Sequence, residues 1–154
     1  MKAVFSFLTL AALAAVSLAS TPEGEAFLTA NAAKEGVITL DSGLQYRVIK
    51  DGPAGAPSPL ASTPCSCHYT GRLIDGVVFD SSVKRGRPAT FAPNQVIKGW
   101  TEAMQLMKEG DKWELTIPSE LAYGESRRGP HITPGAVLIF ELEILEVKGA
   151  SREL

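Results

Sequence analysis

The side chains with chemical potential in this sequence are a Cys-x-Cys pair at Cys65 and Cys67, two histidines at His68 and His131, and aromatic residues at strand and helix spacing. Two positions apart on a strand, the thiols share a face with Cα atoms about 6.6 Å apart, at the far limit for a disulfide. They read as buried free thiols or, in an oxidising compartment, as a strained redox couple. A zinc site is disfavoured, because His68 points to the opposite face and no other ligand is near in sequence. No Gly-x-Ser-x-Gly elbow, glycine-rich phosphate loop or N-glycosylation sequon occurs. Hydrolase and nucleotide-binding readings therefore fail, and the aromatic residues remain.

The elements that must position them follow from periodicity. Thr21-Pro22-Glu23 reads as a helix start, with Thr as cap and acid near the positive dipole end. That short helix runs to Lys34-Glu35 and stops at Gly36, with only Phe27 and Leu28 as an apolar stripe. Leu44, Tyr46 and Val48 alternate with Gln45 and Arg47, which predicts a half-buried strand. Asp51 to Pro64 is a loop rich in Pro, Gly, Ser and Ala. Cys67, Tyr69 and Leu73 then share one strand face, with His68, Thr70 and Arg72 on the other. Asp75-Gly76 between Leu73-Ile74 and Val77-Val78 predicts a two-residue hairpin with positive φ at both turn positions. Val83 to Pro88 reads as a basic surface loop.

Asn94 is placed to cap a short helix in which Val96, Trp100, Ala103 and Met107 recur at helical spacing, with Gly110 ending it. Trp113, Leu115 and Ile117 alternate with Glu114 and Thr116 as a further strand. Glu120 to Pro134 is a long loop, and such loops in compact domains are often functional. Pro134-Gly135 suits a type II turn before a last strand, Val137 to Val147, whose phase slips at Leu145 and implies a bulge. The expected class is α+β: a curved antiparallel β-sheet wrapped around one short central α-helix, with Trp100 as the plug and a short N-terminal helix.

The chain's 154 residues, 45% of them apolar, suffice for one domain with a hydrophobic core. Residues 1–19 read as a signal peptide: Lys2, an apolar Ala3–Leu18 stretch, and small residues before cleavage after Ala19. The alternative, a membrane anchor, sits at the short limit for spanning. Loss of Lys2 leaves 14 basic against 17 acidic side chains. No basic face is built, so nucleic acid and anionic membranes are poor partners, and no later segment is apolar enough for membrane insertion. Ser151-Arg152-Glu153-Leu154 resembles a Lys-Asp-Glu-Leu retrieval tag, which points to the endoplasmic reticulum lumen; the alternative is a surface tail on a secreted protein.

Five motifs then occur in order. They are Cys67-His68-Tyr69-Thr70-Gly71, Val78-Phe79-Asp80-Ser81-Ser82, Val96-Ile97-Lys98-Gly99-Trp100, Ala122-Tyr123-Gly124 and Val137-Leu138-Ile139-Phe140. Together they resemble the catalytic domain of the FKBP family, the tacrolimus-binding immunophilins, over about Gly36 to Val147. The leader-plus-retrieval arrangement is similar to reticulum-resident members. Ala33–Val37 followed by Ser42–Tyr46 resembles the macrophage-infectivity-potentiator branch, in which an N-terminal helical part can dimerise; with about fifteen residues here, a monomer is expected. The implied layout is a leader (1–19), a helical extension (20–36), an isomerase domain (37–148) and a tail (149–154).

The resemblance implies peptidyl-prolyl cis–trans isomerisation without cofactor or metal. Tyr69, Phe79, Phe91, Val96, Ile97, Trp100, Tyr123 and Phe140 would line the pocket, with Trp100 as its floor. Asp80 would sit at the rim, held by Arg85 and Tyr69, while the Ile97 N–H and the Tyr123 hydroxyl hold substrate carbonyls. Proline-containing polypeptides would be clients, and macrolides such as tacrolimus or rapamycin inhibitors. Three departures stand out: Ala89 where an aromatic is common, a Phe91–Val96 link about two residues short, and His131 before Ile132 where an aliphatic residue often lies over the pocket. His131 is either a solvated imidazole or a pH-sensitive rim group. These departures also leave room for a low-turnover module that binds proline segments.

Overall fold

The computed structural model describes residues 20–149, so the expected leader and the retrieval-like ending lie outside the described residues. Helix α1 spans Pro22–Ala32, capped by Thr21, whose hydroxyl accepts from the Gly24 N–H. It stops before the expected Lys34-Glu35, since the chain already turns there through the Lys34 N–H to Asn31 carbonyl bond. Strands β1 (Ile38–Thr39), β2 (Gln45–Lys50) and β3 (Cys65–Leu73) follow. Next come β4 (Val78–Ser81), a single helical turn α2 (Ser82–Arg85) and β5 (Ala89–Phe91). A 3₁₀ turn at Pro93–Gln95 leads into α3 (Lys98–Leu106), then β6 (Lys112–Ile117), a 3₁₀ turn at Ser119–Leu121 and β7 (Leu138–Val147).

The strands form one antiparallel sheet in the order β1-β2-β6-β7-β3-β4, with β5 pairing the first residues of β3. Its inner face closes over α3, which buries Trp100, Ala103, Met104 and Met107 against Leu115, Ile117, Leu142 and Ile144. Those helix positions recur at i, i+3, i+4 and i+7, one continuous stripe. Each large apolar side chain buried there contributes about 1.5–3 kcal/mol. The fold class therefore stands as expected: α+β, with a curved antiparallel sheet around one central helix.

Several local expectations are corrected. The β3–β4 hairpin exists, but only Gly76 has positive φ, at 92°, and Asp75 does not. The Gly76 N–H bonds the Leu73 carbonyl and the Leu73 N–H bonds the Val77 carbonyl, giving a three-residue loop. Within the basic loop, Ser81 caps α2 by accepting from the Lys84 N–H. Asn94 lies inside the 3₁₀ turn and caps nothing; Ile97 holds the N-cap position of α3. Gly110 stands beyond the helix, which ends at Leu106. By contrast, the Pro134-Gly135 turn is present, with the Ala136 N–H bonding the Thr133 carbonyl. The bulge is present too: Ser66 faces Glu146 but Cys67 faces Ile144, so Leu145 is the extra residue.

Helix α1 docks through polar contacts. Gln45 is only 4% exposed. Its Nε2 donates to the Leu28 carbonyl at 2.9 Å, and Asn31 Nδ2 donates to Gln45 Oε1 at 2.8 Å and Thr116 Oγ1 at 3.2 Å. Gln45 pairs with Thr116, on the face opposite Leu115 and Ile117. So α1 covers the outer face at one end of the sheet, while Val48, expected on the buried face of its strand, is 46% exposed opposite Trp113.

Candidate active site

The sheet and α3 meet in a ring of aromatic side chains. The Trp100 indole is packed edge-to-face against Phe140 (centroids 5.1 Å, 88°), Tyr69 (5.2 Å, 73°) and Phe91 (5.7 Å, 82°). Phe79 meets Phe140 at 5.5 Å and 90°. Such pairs contribute about 0.5–1.5 kcal/mol each beyond area burial, so the rings hold one another in place. Two glycines make the close approach possible. A Cβ on Gly71 would lie 2.6 Å from atoms of both Phe79 and Phe140, and one on Gly99 would lie 2.7 Å from Ile117. The first lets the rings cross β3; the second lets α3 lie on β6.

These rings surround a cavity of about 520 Å³. Tyr69, Phe79, Asp80, Phe91, Val96, Ile97, Trp100, Tyr123 and Phe140, all anticipated from the sequence, line it together with Gln95, Ala122 and Arg128, which were not. Gln95 was hidden because its 3₁₀ turn has no readable period; its Oε1 accepts from the Ala92 N–H at 3.0 Å. The Thr101 hydroxyl donates to the Pro93 carbonyl at 2.6 Å, tying that turn to α3 and fixing Val96 and Ile97 between them.

On the sheet side, the Tyr69 hydroxyl donates to Asp80 Oδ2 at 2.7 Å. Arg85 donates one N–H to Asp80 Oδ1 and another to the Tyr69 oxygen at 2.8 Å. Partial burial pushes the Asp80 carboxyl up, but the hydrogen bonds from Tyr69 and Arg85 outweigh it, so its pKa lies below the usual carboxylate range. Burial, then the Asp80 bond, raise the Tyr69 phenol. Beneath them Ser82 is fully buried: its Oγ accepts from the Tyr69 N–H at 2.8 Å and lies 2.9 Å from His68 Nδ1.

On the loop side, Tyr123 is half-buried and the Arg128 guanidinium stands 5.1 Å over its ring. Arg128 and Ile132 exchange two backbone hydrogen bonds, and the Gly135 N–H bonds the Gly124 carbonyl. The start of α1 clamps this loop: the Thr21 N–H bonds the Gly135 carbonyl at 2.9 Å, and Ser20 Oγ accepts from the Ser119 N–H at 3.0 Å.

Three anticipated residues lie elsewhere. Arg85 stays outside the wall and reaches the site through Asp80. Ile132 is buried in the core, and the Arg128–Ile132 bridge sends its neighbour outward. His131 is therefore exposed and lines a separate cleft of about 140 Å³ with Thr21, Asp75 and Val137, away from the aromatic cavity. Ala89 pairs with Cys67 on β5. The two cysteines are free and buried, with no disulfide between them. Burial pushes their thiols up to about 11 for Cys65 and about 12 for Cys67, the inert end of thiol behaviour.

Known proteins share this fold. Residues 56–145 match the family model for the FKBP-type peptidyl-prolyl cis-trans isomerase, and residues 9–48 that for the domain amino terminal to it, which begins within the expected leader. The chain is 54% identical over 129 residues to the FKBP-type 22 kDa peptidyl-prolyl cis-trans isomerase of Escherichia coli, covering 84% of this chain and 62% of that protein. It is 49% identical to the outer membrane protein MIP of Legionella longbeachae, covering 84% of this chain and 54% of that one. The crystal structure of FkpA from Escherichia coli superposes with a TM-score of 0.76 at 40% identity, over 81% of this chain and 57% of that one. The chain thus spans less than two thirds of the length of these relatives. Their names give a reticulum location no support. With the family model matched across the very strands and helix that build the cavity, this chain belongs to the FKBP-type peptidyl-prolyl cis-trans isomerase family.

Proposed function

We propose that this chain accelerates rotation about the bond preceding proline in client polypeptides, inside the Trp100 cavity. An X–Pro amide has partial double-bond character and a barrier near 18–20 kcal/mol. Twisting it breaks conjugation and reduces charge separation, so a dry apolar cleft favours the twisted state over the water-solvated planar one. A thousandfold acceleration requires about 4 kcal/mol, within the range of pocket binding and a few hydrogen bonds. The proline ring packs on the indole of Trp100. The Ile97 N–H, at the N-cap of α3 where backbone donors have no helical acceptor, and the Tyr123 hydroxyl hold the flanking carbonyls.

The observation that carries this reading is the cavity itself: an indole floor, edge-on aromatic walls and a rim carboxylate kept ionised by Tyr69 and Arg85. The test is a protease-free assay on an X–Pro peptide with Trp100→Leu and Asp80→Ala. Variants as active as the parent would sink the site assignment. Titration with tacrolimus or rapamycin during turnover separates an isomerase from a binding module: tight binding with negligible catalysis marks the module. The chain is proposed to work as a monomer on exported clients, directed by residues 1–19. Imaging with an internal tag, with and without Ser151–Leu154, decides between secretion and retention in the reticulum.

A further inference from the structure

Two tyrosines on opposite sides of the cavity each carry an arginine over the ring. On the sheet side the Arg85 guanidinium lies 5.6 Å from the Tyr69 centroid, and its in-plane N–H groups serve Asp80 and the Tyr69 hydroxyl. On the loop side Arg128 lies 5.1 Å from the Tyr123 centroid and lines the cavity, yet no carboxylate among the described residues pairs with it. A guanidinium that stacks by its face keeps its N–H edge available for bidentate pairing with a carboxylate. Its backbone is anchored by both hydrogen bonds to Ile132, so the position of the side chain's root is fixed. The sheet side is thus a complete arginine–tyrosine–carboxylate set, and the loop side is the same set lacking its acid.

From this juxtaposition we infer that the substrate supplies the missing carboxylate: Arg128 selects an acidic residue immediately before proline. The inference rests on the isomerase reading. With the proline ring on Trp100, the preceding residue shares the rotating amide whose carbonyl Tyr123 holds, which sets it beside the ring that Arg128 covers. Gln in place of Glu keeps shape and removes charge, so the Glu-Pro to Gln-Pro ratio isolates the ion pair.

The experiment measures kcat/KM in a protease-free assay for peptides with Glu, Gln, Leu or Lys before proline, using the full chain, Arg128→Gln, Arg128→Lys and the neighbouring control Arg127→Gln. The expected result is Glu over Gln by about three- to tenfold at low salt, the range of a partly exposed charge-assisted pair. That ratio falls to about one in Arg128→Gln, shrinks at high salt, is partly kept in Arg128→Lys and is unchanged in Arg127→Gln. The Leu peptide reports the general effect of each substitution on turnover, so the Glu-to-Gln ratio is read within each protein. A parental ratio at or below one, or one that survives Arg128→Gln, overturns the inference while the isomerase reading stands. No turnover of any peptide overturns both.

Discussion

The two sides of the cavity are built by different means. On the sheet side, Tyr69 sits in mid-β3, bonded to β7 along the whole strand, with its N–H held by buried Ser82 and its hydroxyl by Asp80 and Arg85. On the loop side, Tyr123 and Arg128 ride on a segment fixed by a few backbone bonds and by the first residues of α1. The sheet side cannot shift without breaking a ladder; the loop side can yield at modest cost. For the function proposed above, such asymmetry would serve a pocket that takes many clients, the rigid wall fixing one side of the bound segment and the yielding wall accommodating the other.

The shared floor gives the largest effect. Replacing Trp100 by Ala removes the edge-to-face partner of Tyr69, Phe91 and Phe140 at once. A loss of about 3–5 kcal/mol in urea unfolding is expected. A loss below about 1 kcal/mol would mean that the rings hold one another without the indole.

The sheet side alone is broken by Ser82→Ala. The Tyr69 N–H then loses its acceptor while remaining buried, at a cost of about 1–3 kcal/mol. Denaturation measures the loss, and hydrogen exchange should show it concentrated at Tyr69 and His68, with the loop amides of Arg128 and Ile132 unaffected. Equal acceleration on both sides would erase the contrast.

The loop side is loosened by Thr21→Ala, which removes the α1 cap. About 1 kcal/mol is expected. Here exchange should quicken at Thr21 itself, whose N–H bonds the Gly135 carbonyl, and at Ser119, whose N–H bonds Ser20, leaving β3 protected. Unchanged protection at both amides would show that α1 does not brace the loop.

How much of this was legible in the sequence follows the same divide. Strand alternation and the helical spacing of Trp100, Ala103 and Met107 marked the strands and the central helix, because each is fixed by a short-range period, while the cavity lining was read from the family resemblance. The bulge at Leu145 was visible as a phase slip. What escaped notice lies where no period operates. Arg128 reaches the cavity through a bridge to Ile132, and that same bridge turns His131 away, so loop geometry decided both. The burial of Gln45 was equally unreadable, for its partners Asn31 and Thr116 are brought together only by docking of α1. Asp75 looked like a positive-φ turn residue because Asp-Gly suits a two-residue hairpin, but the pairing at Leu73 and Val77 makes a three-residue loop.

The smallest effect tests the electrostatics of the sheet side. Burial would raise Asp80, and the bonds from Tyr69 and then Arg85 lower it below its ordinary value of 3.8. A carboxylate whose pKa is depressed on folding contributes stability above its unfolded pKa and loses that contribution as pH falls through the folded one. The rim should therefore hold unchanged from neutral pH down to about 4 and weaken only below it. In Arg85→Ala the Asp80 titration, followed by NMR of its carboxyl carbon, should move upward, and the stability lost on acidification should be smaller. Tyr69→Phe should move it the same way. The loop side offers the control: Arg128→Gln should leave the Asp80 titration where it was, because Arg128 pairs with no carboxylate of the described residues. An Asp80 that titrates identically in Arg85→Ala would mean the two sides are alike in leaving their arginines uncommitted, and the contrast between them would fail.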